Sequence, residues 1–156
     1  MVSSILAPVV ALVLVALGIL HLLWAMGSTF PAANGQELAR MVVGRRGITR
    51  MPPAGASLFV AICLFLAAIL ALTLGRVVPW NVPPLVLAPV GLMAAAVFAG
   101  RGIVGILPAF ERAAPEQPFL KLNRRIYSPL SFLIGVGFLL LTLSLPHWSW
   151  RLGLLS

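Results

Sequence analysis

Four apolar runs, at about 5–26, 54–74, 84–107 and 128–145, leave this chain of 156 residues little choice of fold. At 1.5 Å of rise per residue, each run is long enough to cross the roughly 30 Å hydrocarbon core of a bilayer. The composition agrees: 61% of residues are hydrophobic, 9% are charged and the mean hydropathy is +1.09, well outside the range of soluble domains. The expected fold is all-α, an integral membrane four-helix antiparallel bundle forming one domain over residues 1–156. The first run reads as a retained helix rather than a cleaved signal, because Met1–Ser4 has no basic residue and the run exceeds the roughly 7–15 residues of a signal core.

Eleven Lys and Arg against three acids give a formal net charge of +8, which in a soluble chain would suggest nucleic acid. The placement of the charge argues against that partner. Arg40, Arg45, Arg46 and Arg50 fall in the connection 27–53, and Arg112, Lys121, Arg124 and Arg125 fall in 108–127, whereas Arg76 and Arg151 lie toward the opposite ends. By the positive-inside rule both basic loops face the cytoplasm and both termini face outside, in a multi-pass membrane protein. The basic loops also suit anionic membrane lipids, at about 1 kcal/mol per residue near the surface. Cys63 is alone within the second run, which excludes a disulfide framework and a thiol redox pair and reads as a buried apolar thiol.

The chain divides into two hairpins, 1–74 and 84–145, without a repeat of fixed period. The outer connection, Gly75–Pro83, is tight, and the inner connections are longer. Residues 36–43, behind a possible Asn34 cap, fit either a short helix in the head-group layer or an irregular Gly-rich loop. Trp80, Trp148 and Trp150, with His147 beside them, mark the outer interface and Trp24 the inner one. Small or polar residues recur at heptad-like spacing on each run: Ala11, Leu14, Gly18, His21, Ala25 and Ser28; Ser57, Ala61, Leu64, Ala68 and Ala71; Gly91, Ala94, Phe98, Arg101 and Gly105; Ser128, Ser131, Gly135, Phe138 and Thr142. Such faces let helix backbones approach closely inside a membrane.

Arg101 lies within the third run, and a guanidinium in hydrocarbon costs about 2.5 kcal/mol or more unless it finds a partner, a polar cavity or the interface. It either snorkels to the inner head groups or meets an internal partner. Helical side chains tilt toward the N-terminus, here away from cytoplasmic water, which favours the internal partner. Glu111 is the first choice for that partner and Glu37 the second. His21 fits a proton carrier or a hydrogen-bonded packing residue, and Tyr127 an interface anchor or a phenol at the mouth of a site. Asn123-Arg-Arg-Ile-Tyr-Ser-Pro-Leu130 reads as a helix start, with Ser128 as N-cap and Pro129 in the first turn. No metal-ligand spacing occurs, and His21 and His147 sit at opposite membrane faces, so neither a metal nor a cofactor is expected.

At His21-Leu-Leu-Trp-Ala-Met-Gly27, at Arg101-Gly102 with Gly105, and at Tyr127-Ser-Pro-Leu130, the chain resembles the small bacterial membrane proteins grouped as domain of unknown function 3995. The resemblance implies four spans and no known activity. It also implies an acidic residue at the position of Asn123, from which this chain departs.

These readings combine into a polar site near the inner leaflet, in a cavity opening toward the cytoplasmic side, that binds an anionic lipid head group or a small amphipathic ligand. Arg101 supplies charge, His21 and Tyr127 hydrogen bonds and Trp24 a wall, with Ser128, Glu111 and Asn123 at the same level. One alternative is a membrane-embedded enzyme using His21 or Tyr127 for acid–base chemistry. Another is an accessory subunit or small transporter, acting as a homo-oligomer or with a membrane partner protein.

Overall fold

The computed structural model describes residues 2–145, so the expectations for His147, Trp148, Trp150 and Arg151 lie outside the described residues. Seven helices follow in order: α1 (Val2–Ala25), α2 (Gly35–Val42), α3 (Ala54–Leu74), α4 (Pro84–Val104), α5 (Pro108–Ala113), α6 (Phe119–Leu122) and α7 (Ser128–Leu143). A π-helical turn, Asn123–Tyr127, joins α6 to α7. Four helices are long and apolar enough to cross a membrane: Ser3–Ala25, Ala54–Leu74, Pro84–Val104 and the continuous stretch Phe119–Leu143. The chain is therefore an all-α protein built for multiple membrane crossings, and strands are absent among the described residues.

The long helices pack as two antiparallel pairs, α1 against α3 and α4 against α7. The pairs meet through lighter contacts of α1 with α7 and of α3 with α4. The small-residue faces lie inside. Ser57, Ala61, Leu64, Ala68 and Ala71 are all buried, as are Gly91, Gly105, Ser128, Gly135, Phe138 and Thr142. Without a hydrophobic driving force between helices in lipid, such contacts stabilise by close van der Waals packing. Gly135 shows why size matters there, because a β-carbon on it would collide with the backbone of Ala99.

The apolar core occupies the half of the bundle remote from the basic loops. Ala7, Ala11 and Leu14 meet Leu64, Ala68 and Leu74 there, beside Ala88, Ala95, Ile134, Phe138 and Leu141. Large side chains such as Leu12, Phe59, Leu66, Met93 and Leu133 point outward, where lipid would solvate them. Cys63 is exposed among these, which corrects the buried thiol expected from its position in the run. It sits one residue from the inward-facing Leu64, and one residue is a turn of about 100° on a helix.

Residues 36–42 are helical, and Val43 is the C-cap of α2. Asn34 caps α2 by accepting from the N–H of Glu37 at 2.9 Å, and Glu37 reaches back to the N–H of Ala33 at 3.3 Å. α2 buries Leu38 and Ala39 at the basic end and packs against α6, so its apolar side is spent on protein. The fourth span begins at Phe119 rather than at Ser128. Ser128 has helical backbone angles and is buried within the continuing helix, so it is not an N-cap. Its N–H reaches the carbonyl of Asn123, five residues back, and this wider turn carries the chain past Pro129.

Candidate functional site

The close approach of α4 and α7 at the basic end creates a polar cluster. Gly102 lies against Phe132 and the Ser128 carbonyl, and Gly105 leaves room where a β-carbon would collide with the Ser128 hydroxyl and the Arg101 guanidinium. Asn123, fully buried, occupies the centre. Its Nδ2 donates to the Gly105 carbonyl at 2.5 Å, while its Oδ1 accepts from Arg101 Nη2 at 3.0 Å and from Ser128 Oγ at 3.1 Å. A carbonyl can only accept and a guanidinium can only donate, so the amide has one consistent orientation. The π-helical turn makes this possible: residues 123 and 128, five apart, face each other and bring Ser128 onto Asn123.

The Arg101 side chain runs toward the basic end, against the usual helical tilt, and is caught inside the protein by Asn123. Phe110 of α5 lies over the guanidinium, 5.1 Å from its ring centroid. Nη1 is buried and has no hydrogen-bond partner among the described residues. An aromatic series continues outward, with Phe110 6.3 Å from Phe119 and Phe119 6.0 Å from Tyr127. The Tyr127 hydroxyl donates to the Met41 carbonyl in the last turn of α2, at 3.3 Å, and so ties the two hairpins together.

The carboxylates expected at Arg101 are engaged elsewhere. Glu111 forms a two-pronged ion pair with the exposed Arg124, whose guanidinium holds the Glu111 carboxyl below the usual carboxylate range. Glu37 belongs to the cap of α2. Glu116, the third acid, accepts from the Gly47 N–H at 3.1 Å and pairs with Arg40 at 3.5 Å, fastening loop 44–47 to the second hairpin. Gly44 at φ +67° packs under Phe119, and its carbonyl accepts from the Glu116 N–H.

The structure thus brings Arg101, Asn123 and Ser128 together, with Glu111 and Tyr127 on neighbouring elements. His21 and Trp24 belong to a separate set of contacts. His21 Nδ1 lies 2.8 Å from the Leu17 carbonyl, which can only accept, so Nδ1 carries the proton. The His21 ring is 4.7 Å from that of Trp24, and Trp24 Nε1 donates to the Phe30 carbonyl at 2.7 Å. Neither shares a hydrogen-bond partner with Arg101. Phe110, Phe119 and Glu116 are the participants that the spacing of the sequence leaves unmarked.

The model of the family described as protein of unknown function (DUF3995) matches residues 14–138, a range that contains the whole cluster. The chain belongs to this family. Neither a curated protein nor a solved structure shows significant similarity to it. In this DUF3995 member, the resembling segments around His21, Arg101 and Tyr127 converge on the basic half of the bundle, where each makes the contacts described above.

Proposed function

We propose that this protein is a binding protein of the bacterial inner membrane that accepts an anionic group, from a lipid head group or an amphipathic metabolite, at Arg101. The observation that carries this reading is a charge left without a counter-ion. Arg101 lies in an apolar span and, among the described residues, its side chain hydrogen-bonds only to a neutral amide. All three carboxylate side chains of the chain are committed elsewhere, and Nη1 has donors to spare. A buried charge is costly unless paired, so an external anion completes the arrangement. Asn123 aims the guanidinium, Ser128 holds Asn123, and Phe110 covers the charge from the basic end.

The same reading places the basic end in the cytoplasm and both termini outside. The support is the concentration of Arg40, Arg45, Arg46, Arg50, Arg112, Lys121, Arg124 and Arg125 at that end. Labelling of cysteines placed at Arg45 and Lys121, in a Cys63→Ala background, should occur only from the cytoplasmic side. Labelling from outside would overturn the orientation. Catalysis by His21 or Tyr127 gains no support from the geometry, since His21 Nδ1 and the Tyr127 hydroxyl are each bonded to a backbone carbonyl away from Arg101.

Native mass spectrometry of gently extracted protein tests the binding reading. The wild type should carry an anionic species that is lost in Arg101→Met. Asn123→Asp, which provides an internal counter-ion, should lose it too while remaining folded. An unchanged bound species in both variants, or none in the wild type, would contradict the proposal.

A further inference from the structure

A second cationic feature stands apart from Arg101. On the outward side of α6 and the π-helical turn, Gln117, Leu120, Lys121, Arg124 and Arg125 line an open cleft of about 370 Å³. Asn123, on the same turn, faces inward and is fully buried, so this short segment presents a polar residue to each side. Arg124 is engaged by Glu111, but Lys121 and Arg125 are exposed and make no ion pair or hydrogen bond among the described residues. They stand four apart on adjoining turns, close enough for like charges to repel without an anion between them.

The depth of the cleft identifies the anion. Phe119–Leu143 is one continuous helix long and apolar enough to cross a membrane, and residues 121–125 occupy its first turns, where a membrane crossing would set them near the lipid phosphates. Deeper along the same helix, Ile126, Phe132 and Leu133 are exposed and offer a surface to acyl chains. We infer that this cleft holds the head group of an anionic glycerophospholipid, with its phosphate between Lys121 and Arg125 and its chains lying against α7. This site is independent of the one at Arg101 and does not require that reading to hold.

The test is a titration of the purified protein with phosphatidylglycerol and with phosphatidylcholine, followed by native mass spectrometry at low salt. The wild type should prefer phosphatidylglycerol. Lys121→Gln with Arg125→Gln should weaken that preference by roughly fivefold per charge removed. Arg125→Lys, which keeps the charge, should retain it. Two results would overturn the inference: equal preference in the double variant and the wild type, or displacement of the lipid by millimolar inorganic phosphate. The last would make the ligand a free phosphate.

Discussion

The two ends of the α4–α7 seam solve the same packing problem and reach different outcomes. At the end remote from the basic loops, Gly91 makes room for Thr142, whose hydroxyl donates to the Phe138 carbonyl of its own helix at 2.7 Å. At the basic end, Gly105 makes room for Ser128, whose hydroxyl donates instead to Asn123 and so joins a network that ends on a charge with a donor unused. The first hydroxyl is satisfied locally, and stacked Phe98 and Phe138, 5.7 Å apart, close the seam beside it. The second is part of an arrangement that the chain does not complete. A polar group closed on its own backbone serves packing, whereas one that leads to an uncompensated charge is the observation on which the proposed site rests.

The largest expected effect comes from breaking both halves together. Gly135→Ala, at mid-seam, pushes a β-carbon into the backbone of Ala99, which has no flexible side chain to yield, and should cost about 3 kcal/mol or more in an unfolding titration in mixed detergent. The next prediction separates the halves. Asn123→Ala strands the Arg101 guanidinium and should cost about 1–3 kcal/mol, while Thr142→Val removes only a hydroxyl closed on its own helix and should cost less than about 1 kcal/mol. Equal costs would erase the distinction between the two ends.

Much of this comparison is visible in the sequence, and the part that is not has physical reasons. The spans are legible because apolar length is a direct requirement of the bilayer, and the expected second run coincides with α3. The small-residue faces are legible because their spacing is that of a helix. The start of the fourth span is hidden because Asn123-Arg-Arg reads as a polar loop and Ser128-Pro129 as a helix beginning, while the π-helical turn that joins them has no compositional mark. The partner of Arg101 is hidden for a related reason. Charge alone nominates Glu111, but only the turn's five-residue spacing puts Ser128 on Asn123 and the amide beneath the guanidinium.

Two smaller effects refine the basic end. Tyr127→Phe deletes the bond to the Met41 carbonyl and should lower stability by about 0.5–1.5 kcal/mol in the same titration, with the bound anion retained. Glu111 has its carboxyl depressed below the ordinary range by Arg124. Its stabilising contribution is therefore present above the ordinary carboxylate pKa and is lost as pH falls through the depressed value. Stability measured against pH should show a shallow acid-side loss that disappears in Glu111→Gln. The effect is small because the pair is exposed to water.

The central claim is that the chain leaves Arg101 without a counter-ion and that an external anion supplies one. An experimentally determined structure of the protein in native lipid tests it most directly. The account predicts density for an anionic group within hydrogen-bond distance of Arg101 Nη1, with Glu111 still on Arg124 and Glu116 on Arg40. A carboxylate of the chain itself resting on Arg101 would contradict it.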